Sequence, residues 1–205
     1  AAQGRLCEFS VQGRPFKEIL LEQLKREISD QFPNHIPDIV DTPEDEDIQL
    51  QRQFVDINIE GFVPREDCLI KLDTYISSKE TCPLLLFGAP GVGKTSLLVN
   101  YTSKLRNAGY TTIARFCGIS DLSSDADHLI RSILYEANIS CPIESNELHR
   151  KISELFAKIT GVIIIDAIDQ MQDGLELLDW LPRPLPSSLK LIISLNEDSS
   201  TKRII

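Results

Sequence analysis

Positive charge is scarce in this chain of 205 residues: 21 Lys and Arg stand against 31 Asp and Glu, a formal net charge of −10. Non-specific binding to nucleic acid or to an anionic membrane needs a basic surface, so neither is expected as a partner. No apolar run approaches the ~18 residues that span a bilayer, and the first ten residues lack the basic start and long apolar stretch of a signal peptide. The five cysteines, Cys7, Cys68, Cys82, Cys117 and Cys141, include no C-x-x-C pair and are odd in number. That excludes a disulfide framework or a zinc site and points to reduced thiols in the cytoplasm. Internal repeats and low-complexity segments are absent. The chain also does not open with Met, so a fragment of a longer polypeptide is expected.

What is present has the composition of an ordinary globular chain, 42% apolar and 25% charged. Residues 1–37 read as a helical N-terminal segment, with Pro15 at a first helical turn and Phe16, Leu20, Leu24 and Ile28 at i, i+4 spacing. Residues 38–60 read as an acidic linker with a short helix over roughly Glu44 to Phe54. From residue 61 to 205 the pattern alternates. Helices are expected over Glu66–Ser77, Lys94–Asn107, Asp125–Asn138, Asn146–Thr160 and Leu175–Leu181. Between them lie short apolar strands at Leu84–Phe87, Thr111–Phe116, Val162–Ile165 and Leu189–Leu195. Continuous apolar runs of this length suit strands buried on both faces of a parallel sheet. The expected fold class is therefore α/β, a mostly parallel sheet with helices on both faces, whose ligands bind beyond the carboxyl ends of the strands.

The informative residues fall at those ends. Gly88-Ala89-Pro90-Gly91-Val92-Gly93-Lys94-Thr95 matches G-x-x-x-x-G-K-[ST] in full, between an apolar strand and an amphipathic helix. Glycines let the backbone turn where a Cβ forbids it, so that consecutive N–H groups face inward as an anion nest. The helix start adds free N–H groups and the positive end of its dipole. In such a cradle Lys94 meets the β and γ phosphates of a nucleoside triphosphate, the Thr95 hydroxyl ligates Mg2+, and Ser96 meets the α phosphate.

Val162-Ile163-Ile164-Ile165 is closed by Asp166, placed to hold Mg2+ through water. Asp169, three residues on, is a candidate to position or activate an attacking water. Gln170 follows it, and an amide cannot act as a base, so slow hydrolysis is expected. At the end of the last strand, Ser194 and Asn196 are candidates to sense the γ phosphate. The guanine-reading string Asn-Lys-x-Asp is absent, which favours ATP.

These residues together resemble the STAND class of signal-transduction P-loop NTPases, and within it the NACHT-like modules. Phe62-Val63-Pro64-Arg65-Glu66 resembles the Phe-Val-Gly-Arg-Glu motif of the class, which implies that Val63 and Arg65 help place adenine; Pro64 departs from the motif. Asp166-Ala167-Ile168-Asp169-Gln170 is similar to the Asp-x-x-Asp-Glu signature, with Gln170 in the last place. Leu195-Asn196 stands where the class often carries an Arg. The finer resemblance is to modules of nephrocystin-3-like, telomerase-component-like and tetratricopeptide-repeat proteins, which carries Gly13–Pro33 and Phe116-Cys117-Gly118-Ile119-Ser120 with it.

The resemblance implies an ASCE-type sheet of order 5-1-4-3-2, of which strands one to four are recognisable; the fifth strand and the lid are not found. It also implies a switch in which bound ATP or ADP governs assembly, with repeats downstream that engage protein partners, and a nucleotide-dependent oligomer. A module that holds ATP or ADP as a scaffold, without turnover, remains a second reading. A small-molecule or nucleotide kinase is a third, and the acceptor pocket and basic lid residues it requires have no counterpart here.

Overall fold

The computed structural model describes residues 10–11, 14–15, 23, 26, 42–59, 62–120, 125–142, 144–171, 179 and 181–197. Contacts divide the chain into two units, Ala1–Asp41 and Thr42–Ile205. In the first, β1 (Ser10–Val11) pairs antiparallel with β2 (Arg14–Pro15), and Ser10 faces Pro15. Pro15 therefore ends a strand and does not open a helix, which corrects the sequence expectation. A two-stranded ladder consists only of edges, where a residue without an N–H is tolerated. Gln23 and Arg26 are helical, while the expected stripe of Phe16, Leu20, Leu24 and Ile28 lies outside the described residues.

The second unit begins with α1 (Pro43–Ile57). Thr42 caps it by accepting the Asp45 N–H at 3.2 Å, Pro43 occupies its first turn, and Glu44, Asp45 and Glu46 face the positive end of its dipole. The short helix expected over roughly Glu44 to Phe54 is present as Pro43–Ile57; it belongs to the same unit as the sheet, and one face of it is buried: Asp47, Ile48, Gln51 and Val55. Next come α2 (Glu66–Ser77), β3 (Leu84–Gly88), α3 (Lys94–Asn107) and β4 (Thr112–Phe116). After them follow α4 (Ala126–Glu136), α5 (Ser145–Phe156), β5 (Gly161–Asp166), a 3-10 turn at Ile168–Gln170, and β6 (Leu189–Asn196). The helix expected at Leu175–Leu181 falls on residues outside the described set, apart from Asp179, which is helical, and Leu181, which is not.

All four long strands are parallel, in the order β3-β6-β5-β4. Side chains alternate between two cores, as the twofold repeat of a strand requires. Ile113, Ile163, Ile165, Leu191, Ile193 and Leu195 pack against α4 and α5. Ala114, Phe116, Val162, Ile164 and Ile192 pack with Val55 of α1, Leu72 and Tyr75 of α2, and Leu97, Leu98 and Tyr101 of α3. Truncating one of these fully buried aliphatic side chains to Ala would cost about 2–5 kcal/mol. β3 stands at one edge among the described strands, and each of its residues is only partly buried, whereas Val162–Asp166 of β5 is buried throughout. Among the described residues no strand lies outside β3.

Candidate functional site

The carboxyl ends of the strands meet at one rim. Gly88 lies opposite Asn196, and Phe116 opposite Asp166. From Gly88 the chain must reverse into α3 within five residues. Gly91 at φ 77° and Gly93 at φ 89° supply left-handed turns that a side chain would strain. Nothing lies within 4 Å of the position a Cβ of Gly91 would take, so the loop is open on that side. Ala89, Pro90 and Gly91 are exposed, as is Ser96 in the first turn of α3. Arg65, at the start of α2, donates from its guanidinium to the Val92 carbonyl and so ties the segment ahead of α2 to the loop. Val63 is 79% exposed.

The Lys94 ammonium donates to Gly88 O at 2.9 Å, Ala89 O at 3.1 Å and Asn196 Oδ1 at 2.8 Å. All three acceptors are neutral, and among the described residues no carboxylate pairs with it. A half-buried cation held only by dipoles can still gain from an anion, because bonds to ionised acceptors are about twice as strong. Beside it, the Thr95 hydroxyl donates to Asp166 Oδ2 at 2.6 Å, and the Ser194 hydroxyl donates to Asp166 Oδ1. Asp166 is 3% exposed and both of its oxygens are engaged by hydroxyls.

After Asp166 the chain turns sharply through Ala167, a non-glycine residue at φ 56°, whose N–H donates to Ser194 Oγ at 2.9 Å. Left-handed backbone at a residue with a Cβ costs of order 1 kcal/mol and is found preferentially at functional sites. The turn sends Asp169 towards β6. There its oxygens accept from the Asn196 N–H at 3.0 Å and the Asn196 side-chain amide at 2.7 Å. Asp169 therefore reaches the phosphate loop through Asn196, whose oxygen accepts from Lys94. Of the two candidate sensors, Asn196 faces Lys94 and Ser194 faces Asp166.

The far wall was not anticipated from sequence. It is formed by Cys117 and Gly118, which follow β4. The Cys117 N–H donates to the Asp166 carbonyl at 3.1 Å. Burial, and then the nearby charges of Asp166 and Asp169, push the Cys117 thiol well above its usual range. A Cβ at Gly118 would lie 3.6 Å from Gln170 Oε1. Cys68, Cys82, Cys117 and Cys141 are all free thiols; Cys7 lies outside the described residues.

The donor set fits a magnesium–polyphosphate group. Thr95 and Asp166 offer adjacent hard oxygens, and an ammonium and a helix N-terminus stand next to them. No cluster of three His, Cys, Asp or Glu that could cage a metal occurs among the described residues. Mg2+ is usually held by one or two protein oxygens together with phosphate and water.

A glycine loop between a parallel strand and a helix, with a carboxylate closing the second strand away, defines a P-loop NTPase. A family profile described as "AAA domain" matches residues 79–199, more than half of the sequence, and the chain belongs to that family. Among relatives, it is 28% identical over 159 residues to human NACHT domain- and WD repeat-containing protein 1, covering 66% of this chain and 10% of that protein. It is 31% identical over 132 residues to human nephrocystin-3, covering 57% of this chain and 10% of that protein. The chain thus spans about a tenth of the length of the relatives it matches, and over that stretch it is similar to proteins named for a NACHT domain. The structure of the Aeropyrum pernix ORC1 protein in complex with DNA aligns with a TM-score of 0.46 at 15% identity, covering 82% of this chain and 43% of that one. Among the described residues no helix is long and apolar enough to cross a membrane.

Proposed function

We propose that this chain is an ATP-binding regulatory NTPase module that couples nucleotide state, through slow Mg-ATP hydrolysis, to assembly or signalling of a larger protein. The observation that carries the reading is the pairing of Thr95 with Asp166 at 2.6 Å beside the Lys94 ammonium. Three groups from two elements, the start of α3 and the end of β5, with the chemistry a magnesium triphosphate needs, converge at one strand rim.

In this reading the backbone of Gly88–Thr95 cradles the phosphates. Lys94 exchanges its neutral acceptors for β and γ oxygens, and Ser96 meets the α phosphate. Thr95 and Asp166 hold Mg2+, which when bound neutralises charge that develops on the phosphates. Val63 and Arg65 contribute to the adenine side; Arg65 already reaches the loop through Val92 O. Asn196 senses the γ phosphate through Lys94, and Asp169 orients the attacking water. Oligomerisation and protein partners belong to the larger protein and its repeats. The reading places the module in the cytoplasm, with neither nucleic acid nor a membrane among its partners.

Titration of a fluorescent ATP analogue into the full chain tests binding. Lys94→Ala removes a charge-assisted contact worth about 1.5–3 kcal/mol, so affinity should fall about 10- to 100-fold. Unchanged affinity in that variant overturns the reading.

A second reading, a scaffold that holds ATP or ADP without turnover, is favoured by two observations. Both Asp169 oxygens are occupied by Asn196, so neither is turned to an attacking water while those contacts hold. Gln170 stands where a second acid would be. Single-turnover hydrolysis decides between them: cleavage by the intact protein that is lost in Asp169→Asn selects the NTPase, and no cleavage selects the scaffold.

A further inference from the structure

We propose that Asp47 and Gln51, on the helix ahead of the NTPase sheet, are positioning residues that set the Asp166 carboxylate for its metal. The proposal rests on the reading of Asp166 given above. It follows from how α1 meets β4. β4 is the edge strand at the far side of the sheet from β3, so the outward polar groups of its last residue need partners. Gln51 supplies them. The Phe116 N–H donates to Gln51 Oε1 at 2.8 Å, and the Gln51 amide donates back to Phe116 O at 3.4 Å. A side-chain amide thereby completes the ladder as a neighbouring strand would.

One helical turn earlier, Asp47 takes hold of the other end of the same loop. It is 2% exposed and accepts from the Ser120 hydroxyl, and from the Ser132 hydroxyl of α4 at 2.6 Å. Its charge is balanced by Arg115, 1% exposed, with Nε 3.7 Å away; Arg115 in turn donates to Ser132 Oγ at 3.0 Å and Glu136 Oε2 at 2.6 Å. Two residues on one face of α1 thus grip Phe116 and Ser120, the two ends of the segment whose middle forms the wall of the site. Within that segment the Cys117 N–H bonds the Asp166 carbonyl, and Phe116 is the residue in register with Asp166. The Phe54 ring, 5.0 Å from that of Phe116, adds an apolar contact beside the Gln51 amide. Partners bonded directly to a metal ligand alter metal affinity about 10- to 100-fold when removed; this grip acts one step further back, on the Asp166 main chain, so its effect should lie at the low end of that range.

The test compares Gln51→Leu, Gln51→Glu, Asp47→Asn and the exposed control Gln53→Ala in the full chain, each checked for a cooperative melt. Nucleotide-analogue affinity is measured in EDTA and across a Mg2+ titration, and amide exchange is followed at Cys117. Gln51→Leu should leave metal-free affinity within about twofold, raise the Mg2+ concentration for half-maximal tightening about tenfold, and speed exchange at Cys117. Gln51→Glu keeps the acceptor for Phe116 N–H and should fall between Leu and wild type; Asp47→Asn, which keeps an acceptor but loses the charge facing Arg115, should also shift the Mg2+ requirement. A merely structural role would weaken both affinities in parallel, and that result, or an unchanged Mg2+ requirement in a folded Gln51→Leu, overturns the proposal. If the Leu variant does not fold, the Glu variant decides on the same criteria. Loss of all nucleotide binding by the wild type, or full binding by Lys94→Ala, would instead bring down the site reading itself and this proposal with it.

Discussion

Asn196 engages both oxygens of Asp169, with its main-chain N–H at 3.0 Å and its side-chain amide at 2.7 Å, and it presents its remaining oxygen to Lys94 at 2.8 Å. This fixes the orientation of the amide, since only Nδ2 can donate to a carboxylate and only Oδ1 can accept from an ammonium. Asn196 thereby links Asp169 to the phosphate loop.

Asn196→Ala should uncouple these two groups. Lys94 keeps Gly88 O and Ala89 O, so nucleotide binding should change by less than about threefold. Asp169 loses one of two hydrogen bonds, a cost of about 1–2 kcal/mol because the remaining charge is partly buried. The urea midpoint should fall accordingly, and any hydrolysis measured in single turnover should drop more than affinity does. A variant that hydrolyses ATP like the wild type would show that the amide has no part in turnover.

Much of this was legible in the sequence because it depends on near neighbours. The loop Gly88–Thr95 needs glycines at fixed offsets, and a strand such as Val162–Ile165 shows as an unbroken apolar run. Asp166 could be placed because it directly follows that run. The grip of Asp47 and Gln51 on Phe116 and Ser120 could not, since it joins residues 65 and 73 positions apart. The helix over Glu44 to Phe54 was legible, since an acidic start suits a helix N-terminus; that its inner face, Asp47, Ile48, Gln51 and Val55, is buried was not. One signal was available: Arg115 lies in the middle of Thr112–Phe116, and an arginine in a buried strand requires a carboxylate from elsewhere. Pro15 misled for the opposite reason, since proline suits both a first helical turn and an edge strand.

Gly161 opens β5 at φ 122°, and a Cβ there would lie 2.3 Å from the Thr111 carbonyl oxygen. That oxygen cannot withdraw freely, because it accepts the Val162 N–H at 2.9 Å. Gly161→Ala combines a backbone conformation costing about 1–3 kcal/mol with overpacking of similar size. A loss of roughly 2–5 kcal/mol is expected in denaturant unfolding, with the midpoint lowered and the slope unchanged. Thr111→Gly leaves that oxygen in place and should not rescue it. A fall of less than 1 kcal/mol would mean that β4 and β5 shift apart at little cost.

Asp127, in the first turn of α4, provides the pH prediction. Burial raises its pKa, but the hydrogen bond and charge of Arg131, the Ser145 hydroxyl and the charge of His149 together outweigh burial and leave it below the usual carboxylate range. The Arg131 Nε contact is 2.8 Å and the His149 Nε2 contact 3.3 Å. With the folded pKa depressed, the unfolded chain binds more protons as pH falls below about 4, so this group contributes stability above its unfolded pKa and loses it as pH drops through the folded value. The ion pair also joins α4 to α5, since His149 and Ser145 both belong to the second helix. Asp127→Asn should therefore lower the Tm at pH 6 and narrow its gap from the wild type steadily between pH 4.5 and 3, where the wild-type carboxylate is itself being protonated. A constant Tm difference across that range would show that Asp127 acts through its shape and hydrogen bonds and not through its charge.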